Sequence, residues 1–144
     1  HQETGPASNG HSPIIQRARG IPFPLFRGAA SLSILANLPL AKRRAIYLQH
    51  AKEIENADLG SSWEEFRKVT RALKEGKAVV TRGTFGSDLI AVAAPILDED
   101  EAAFGSITRI VRQAKEGDIE QMSDNITALA LQVQIPLGRE LGSA

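Results

Sequence analysis

The stretch "DLIAVAAPILDEDEAAFGSITRIVRQ", Asp88 to Gln113, decides the fold. Its first part, Asp88 to Asp98, is rich in Ile, Ala and Val and short enough to be a strand. Its second part, from Ala102, alternates. Phe104, Ser106, Thr108 and Ile110 fall on one face, and Ile107, Arg109 and Val111 on the other. Four acids, Asp98 to Glu101, make a compact turn between them. Two strands joined by so short a connection pair antiparallel.

Upstream, "KAVVTRG" (77–83) reads as another short strand. "SSWEEFRKVTRALKEG" (61–76) before it is a helix. Either Ser62 with Glu65 or Ser61 with Glu64 forms a capping box. Trp63, Phe66, Val69 or Thr70, and Leu73 make its inner face, and Gly76 terminates it. "LAKRRAIYLQHAKEIENA" (40–57) predicts a helix with an apolar stripe of Ala41, Ala45, Leu48, Ala51 and Ile54. A short helix from Gly28 to Leu38, stopped by Pro39, precedes it, with Leu32, Leu35 and Leu38 at three-residue spacing. A strand alternating Ile14, Gln16 and Ala18 with Ile15, Arg17 and Arg19 comes earlier still, and Pro22 and Pro24 then hold the chain extended. Residues 1–12 read as a loop or disordered start. At the other end, a helix capped by Asp118 and closed by Pro136 lines up Ile119, Met122, Ile126, Leu129 and Val133. The order strand, helices, three strands, helix predicts an α+β domain, an antiparallel sheet flanked by helices.

The 144 residues suit one domain with a sizeable core. Lys plus Arg equals Asp plus Glu at 17 each, which argues against an autonomous nucleic-acid binder but leaves room for a local patch. With no cysteine there is neither a disulfide framework nor a thiolate metal site, which suits a cytoplasmic setting. No apolar run is long enough to span a membrane. No signal peptide is visible, and a start at His1 points to a fragment or processed chain.

Chemistry-bearing motifs are few. His1, His11 and His50 share no metal-ligand spacing, no phosphate loop or nucleophile elbow is present, and no acid–base pair suggests an enzyme. A solvated turn accounts for Asp98 to Glu101 better than a metal cluster. Lys42, Arg43 and Arg44 in "AKRRA" can touch phosphates, although a solvated helix face is the plainer reading. The small residues after Gly28 have two readings. They let the helix lie close to the sheet, or they leave its first N–H groups open to an anion such as a carboxylate. Ser106 and Thr108 would close the other side of such a pocket.

Two stretches, "PLFRGAASLSILANLP" (24–39) and "EGKAVVTRGTFGSDLIAVAAPILDEDEAAFGSI" (75–107), resemble the effector-binding domain of the IclR family of bacterial transcriptional regulators. The resemblance spans residues 13–138, implies an effector-binding domain incomplete at its N-terminal end, and leaves 139–144 as a tail. It implies a GAF- or PAS-like sensory fold, no cofactor, and a homodimer or homotetramer that binds a small organic acid, aromatic acids included. It further implies that DNA is met only through a winged helix-turn-helix domain absent from this chain. Carried over by position, ligand contacts would come from Ala29, Ala30, Ser31, Thr81, Thr84, Ala91, Thr108 and Ile110. Ser31-Leu32 replaces the family's usual Gly-Lys, Thr84 replaces a frequent Glu, and Ile110 replaces a second pocket hydroxyl. These departures imply a less polar pocket and a more apolar acid than a two-carbon one. A pure assembly module with no ligand is the alternative.

Overall fold

The computed structural model describes residues 14–17, 26–76, 78–83, 88–112 and 114–142, with side chains outside 14–17 and 134–142. The expected N-terminal loop, Pro22, Pro24 and Thr84 lie outside the described residues. The elements run β1 (Ile14–Arg17), α1 (Ala29–Ala36), α2 (Leu40–Asn56), α3 (Trp63–Glu75), β2 (Val79–Arg82), β3 (Ile90–Leu97), β4 (Ala103–Val111) and α4 (Glu116–Gly142). The four strands form one antiparallel sheet in the order β1-β4-β3-β2. The α+β class and the element order are those the sequence predicts.

β3 and β4 form the expected hairpin. Asp98 organises its acidic turn: Oδ1 accepts from the N–H groups of Asp100 (2.8 Å) and Ala102 (3.0 Å). One expected face is corrected. Gly105 pairs with Ile96 and Ala103 with Leu97, so Phe104 is an extra residue in a β-bulge. The bulge reverses the alternation. Phe104 packs with Ile107 and Val111 against the α4 core, rather than beside Ser106 and Thr108.

One core lies between the sheet and α4, where Ile90, Val92, Ala94, Ile96 and Ile107 meet Ile119, Ile126 and Ala130. Met122, Leu129 and Val133 flank it, as the period of α4 predicts. The two ends of α4 differ from expectation. Asp118 sits inside the first turn and its Oδ2 accepts from the Lys115 N–H at 3.3 Å, the reach-back half of a cap. The helix also continues through Pro136 to Gly142. A proline removes one helical hydrogen bond and disfavours helix by about 3 kcal/mol, a cost the rest of a 27-residue helix can outweigh.

A second core gathers Phe26, Leu35, Ile54, Leu59 and Phe66 among α1, α2 and α3. Ser62 caps α3 by accepting from the Glu65 N–H at 3.2 Å, the first of the two expected pairings. Phe66 and Thr70 are its buried residues, and full burial of one such phenyl ring stabilises by about 1.5–3 kcal/mol. The expected stripe of α2 is corrected: Ala41, Ala45, Leu48 and Ala51 face solvent, and only Ile54 is buried. Alanine methyls bury too little area to orient a helix. Tyr47 does so instead, packing its ring 5.7 Å from Phe66 and 6.1 Å from Trp63. α2 also kinks at His50, whose φ of −130° and ψ of 32° are not helical.

A candidate ligand site between helix α1 and the sheet

The α1 face of the sheet is built in rows across the strands. Thr81, Ala91 and Ile110 stand side by side in one row. Val79, Ala93 and Thr108 form the next, and Pro95 and Ser106 the third. Alternation along each strand puts all eight on one face. The first row is half-buried and the second is buried, so the face opens toward Thr81 and Ile110.

α1 lies across this face. Ala29 packs on Val79 and Ala93, with Leu32, Leu73 and Ala91 around them. Gly28 precedes the helix with φ +89°, a conformation glycine adopts without penalty. It brings no side chain to cap the first N–H groups, and the first turn holds no acidic residue. Ser33 follows one turn after Ala29 on the same helix face and is fully buried. At the far end, Asn37 Nδ2 donates to the Ser33 carbonyl at 2.9 Å.

Four buried hydroxyl oxygens, those of Ser33, Thr81, Ser106 and Thr108, have no hydrogen-bond partner among the described residues. All four belong to the residues of the α1–sheet interface. An unpaired buried hydroxyl costs about 1–3 kcal/mol, so such groups are rare unless something else pairs them. None of the eight sheet residues or the α1 residues carries a charge. Hydroxyls among apolar neighbours are the groups that orient a small ligand, and uncapped helix N–H groups are the kind that suit an anionic end.

The structure brings Thr81, Ala91, Thr108 and Ile110 to one face and sets Ala29 against it. Ala30 and Ser31 are half-buried in the first turn of α1, off the Ala29–Ser33 line. Thr84 lies outside the described residues. Ser33 was missed as a site residue, although its spacing of four from Ala29 marks the same helix face. Ser33 and Ser106 also make this interface richer in hydroxyls than the departures at Thr84 and Ile110 imply.

Among the described residues no group of three His, Cys, Asp or Glu could hold a metal, and no helix is long and apolar enough to cross a membrane. No protein-family model and no curated protein matches the chain. Solved structures do. The Agobacterium tumefaciens repressor BlcR superposes with a TM-score of 0.69 at 12% identity, over 90% of this chain and 60% of that one. The Thermotoga maritima IclR gives 0.69 at 18% identity, over 92% and 63%. A double mutant of the inducer-binding domain of the Acinetobacter PobR transcription factor, in complex with 3-hydroxybenzoic acid, gives 0.58 at 11%, over 78% and 66%. The chain thus spans about 60% of the length of the regulators BlcR and IclR. These neighbours are transcriptional regulators rather than enzymes. The chain has the fold of the effector-binding domain of IclR-family transcriptional regulators.

Proposed function

We propose that this chain is the ligand-sensing domain of an IclR-type transcriptional regulator. It binds a small organic acid, aromatic acids included, between α1 and the sheet, and it does not turn it over. The observation that carries this reading is the set of four unpartnered buried hydroxyls on the α1–sheet interface. The acid's polar atoms would pair Thr81, Thr108, Ser106 and Ser33. Its carboxylate would meet the first turn of α1 at Ala29, Ala30 and Ser31, and Ala91 and Ile110 would wall its body. Thr84 belongs to the same proposed set.

The domain works as a homodimer or homotetramer in the cytoplasm. Leu48, 70% exposed on α2, and Leu131, 58% exposed on α4, favour self-association. DNA would be met only through a separate domain. A ligand that fits one arrangement of the oligomer better shifts that domain by the difference in affinity.

The test is thermal unfolding of the chain with aliphatic and aromatic carboxylates at millimolar concentration. A ligand at 100 times its dissociation constant adds about 2.7 kcal/mol of stability. A hit that disappears in Thr108→Val, in protein that still folds, supports the site. A hit unaffected by Thr108→Val and Thr81→Val overturns it. Uniform silence across the panel favours an assembly module with no ligand.

A further inference from the structure

The basic run Lys42–Arg44 leads to a second surface, formed by residues outside the hydroxyl site. Arg43 reaches from α2 onto α3. Its Nε donates to the Leu38 carbonyl at 3.1 Å and its Nη1 to Thr70 Oγ1 at 2.8 Å. Thr70 is fully buried and its hydroxyl donates onward to the Phe66 carbonyl at 3.0 Å. The half-buried guanidinium is therefore fixed in place with two of its five donors used. It lines a groove of about 490 Å³ with Leu40, Arg67, Arg71, Lys74 and Glu75. Arg67, Arg71 and Lys74 recur at helical spacing on one face of α3.

The charges in this groove do not balance. Arg67 pairs with Glu64, and Arg71 with Glu75 at 3.3 Å. Among the described residues Arg43 and Lys74 have no carboxylate partner. Burial, and then the neighbouring Arg67, lower the pKa of Arg43 from its ordinary value. A partly desolvated cation beside a second cation is unfavourable until an anion joins it. Two surplus positive charges match a dianion, and the guanidinium fork matches phosphate oxygens.

We propose that the α2–α3 groove is a second ligand site, which takes the phosphate group of a small phosphorylated molecule on Arg43 and Lys74, with Arg67 and Arg71 beside them. The groove is larger than a phosphate, and Leu40, 53% exposed, offers an apolar wall to the organic part. This site is independent of the acid-binding reading and can stand if that reading fails.

The test is calorimetric titration and thermal unfolding of the chain with inorganic phosphate and with a nucleoside monophosphate, at constant ionic strength against chloride. Both phosphates should stabilise the protein where chloride does not, the monophosphate more strongly. Exposed Arg71 and Lys74 permit a double variant, Arg71→Gln with Lys74→Gln, that should unfold like the parent in chloride. It should bind phosphate at least tenfold more weakly. Arg43→Lys, which keeps the charge and loses the fork, should also weaken binding. Equal responses to phosphate and chloride, or a double variant that binds like the parent, overturn the proposal. So does binding of mixed-sequence duplex DNA through these residues with no response to the monophosphate, which would assign the groove to a polymer backbone.

Discussion

The main-chain N–H of Ala103 donates to the Asn37 carbonyl at 2.9 Å, tying the first residue of β4 to the end of α1. Asn37 Nδ2 holds the Ser33 carbonyl on the same turn. α1 is thus pinned at its C-terminal end by hydrogen bonds, while its N-terminal end rests on the apolar contact of Ala29 with Val79 and Ala93. Asn37→Ala removes the side-chain half of this pin and leaves the buried Ser33 carbonyl without that partner. The expected loss is about 1–2 kcal/mol in urea unfolding.

Thr108→Val keeps the shape of a buried side chain and removes an unpaired oxygen. The ligand-free protein should therefore be as stable as the parent or more stable, by up to about 1 kcal/mol. Stabilisation by the acid should fall in the same variant. Opposite movements of the two quantities separate a binding hydroxyl from a packing one.

Gly28 and Gly60 both have positive φ, +89° and +127°, and differ in their surroundings. A Cβ on Gly28 would meet nothing within 4 Å, so Gly28→Ala should cost only the backbone penalty of its positive φ with an extended ψ of 147°, about 1–3 kcal/mol. A Cβ on Gly60 would sit 2.7 Å from the Phe66 nitrogen. Gly60→Ala must also displace the start of α3, and its melting temperature should drop further than that of Gly28→Ala.

Glu65 reports on the α3 cap. Its Oε1 accepts from the Ser61 N–H and from the Ser61 hydroxyl, both at 2.8 Å, and these bonds hold its pKa below the ordinary 4.5. A depressed folded-state value stabilises the fold fully above the ordinary value and loses that contribution as pH falls through the depressed one. Glu65→Gln should therefore flatten the acid side of the stability–pH curve below about pH 4.5. Ser62→Ala, which removes the cap itself, should cost about 1 kcal/mol at every pH.

The β3–β4 hairpin was legible as two apolar-rich runs on either side of a short acidic turn, and the inner face of α4 because its helical period runs unbroken over many residues. α2 was not. Its alanines match a helical stripe, but the aromatic ring of Tyr47 and the Arg43 bond to Thr70 of α3 outweigh a row of methyl groups. The bulge at Phe104 leaves no local sign, since "AAFGSI" alternates equally well without it. At the α1–sheet interface Ser106 and Thr108 were readable from strand parity alone. Ser33 needed the helix to be set down on the sheet first, because its hydroxyl has meaning only opposite another element. Asp118 was legible as an acid at a helix start, but not which half of the cap it supplies.

The pairing of β1 with β4 joins residues 14–17 to residues 105–108, which lie 88 to 94 positions further along the chain. Closing so long a loop is entropically costly and slow, whereas β3 and β4 can meet across a turn of a few residues. The hairpin and α4 are therefore placed to form early, and β1 to join late. Until it does, the strand bearing Ser106 and Thr108 is an open edge, so the floor of the hydroxyl site is among the last parts of the molecule to be finished.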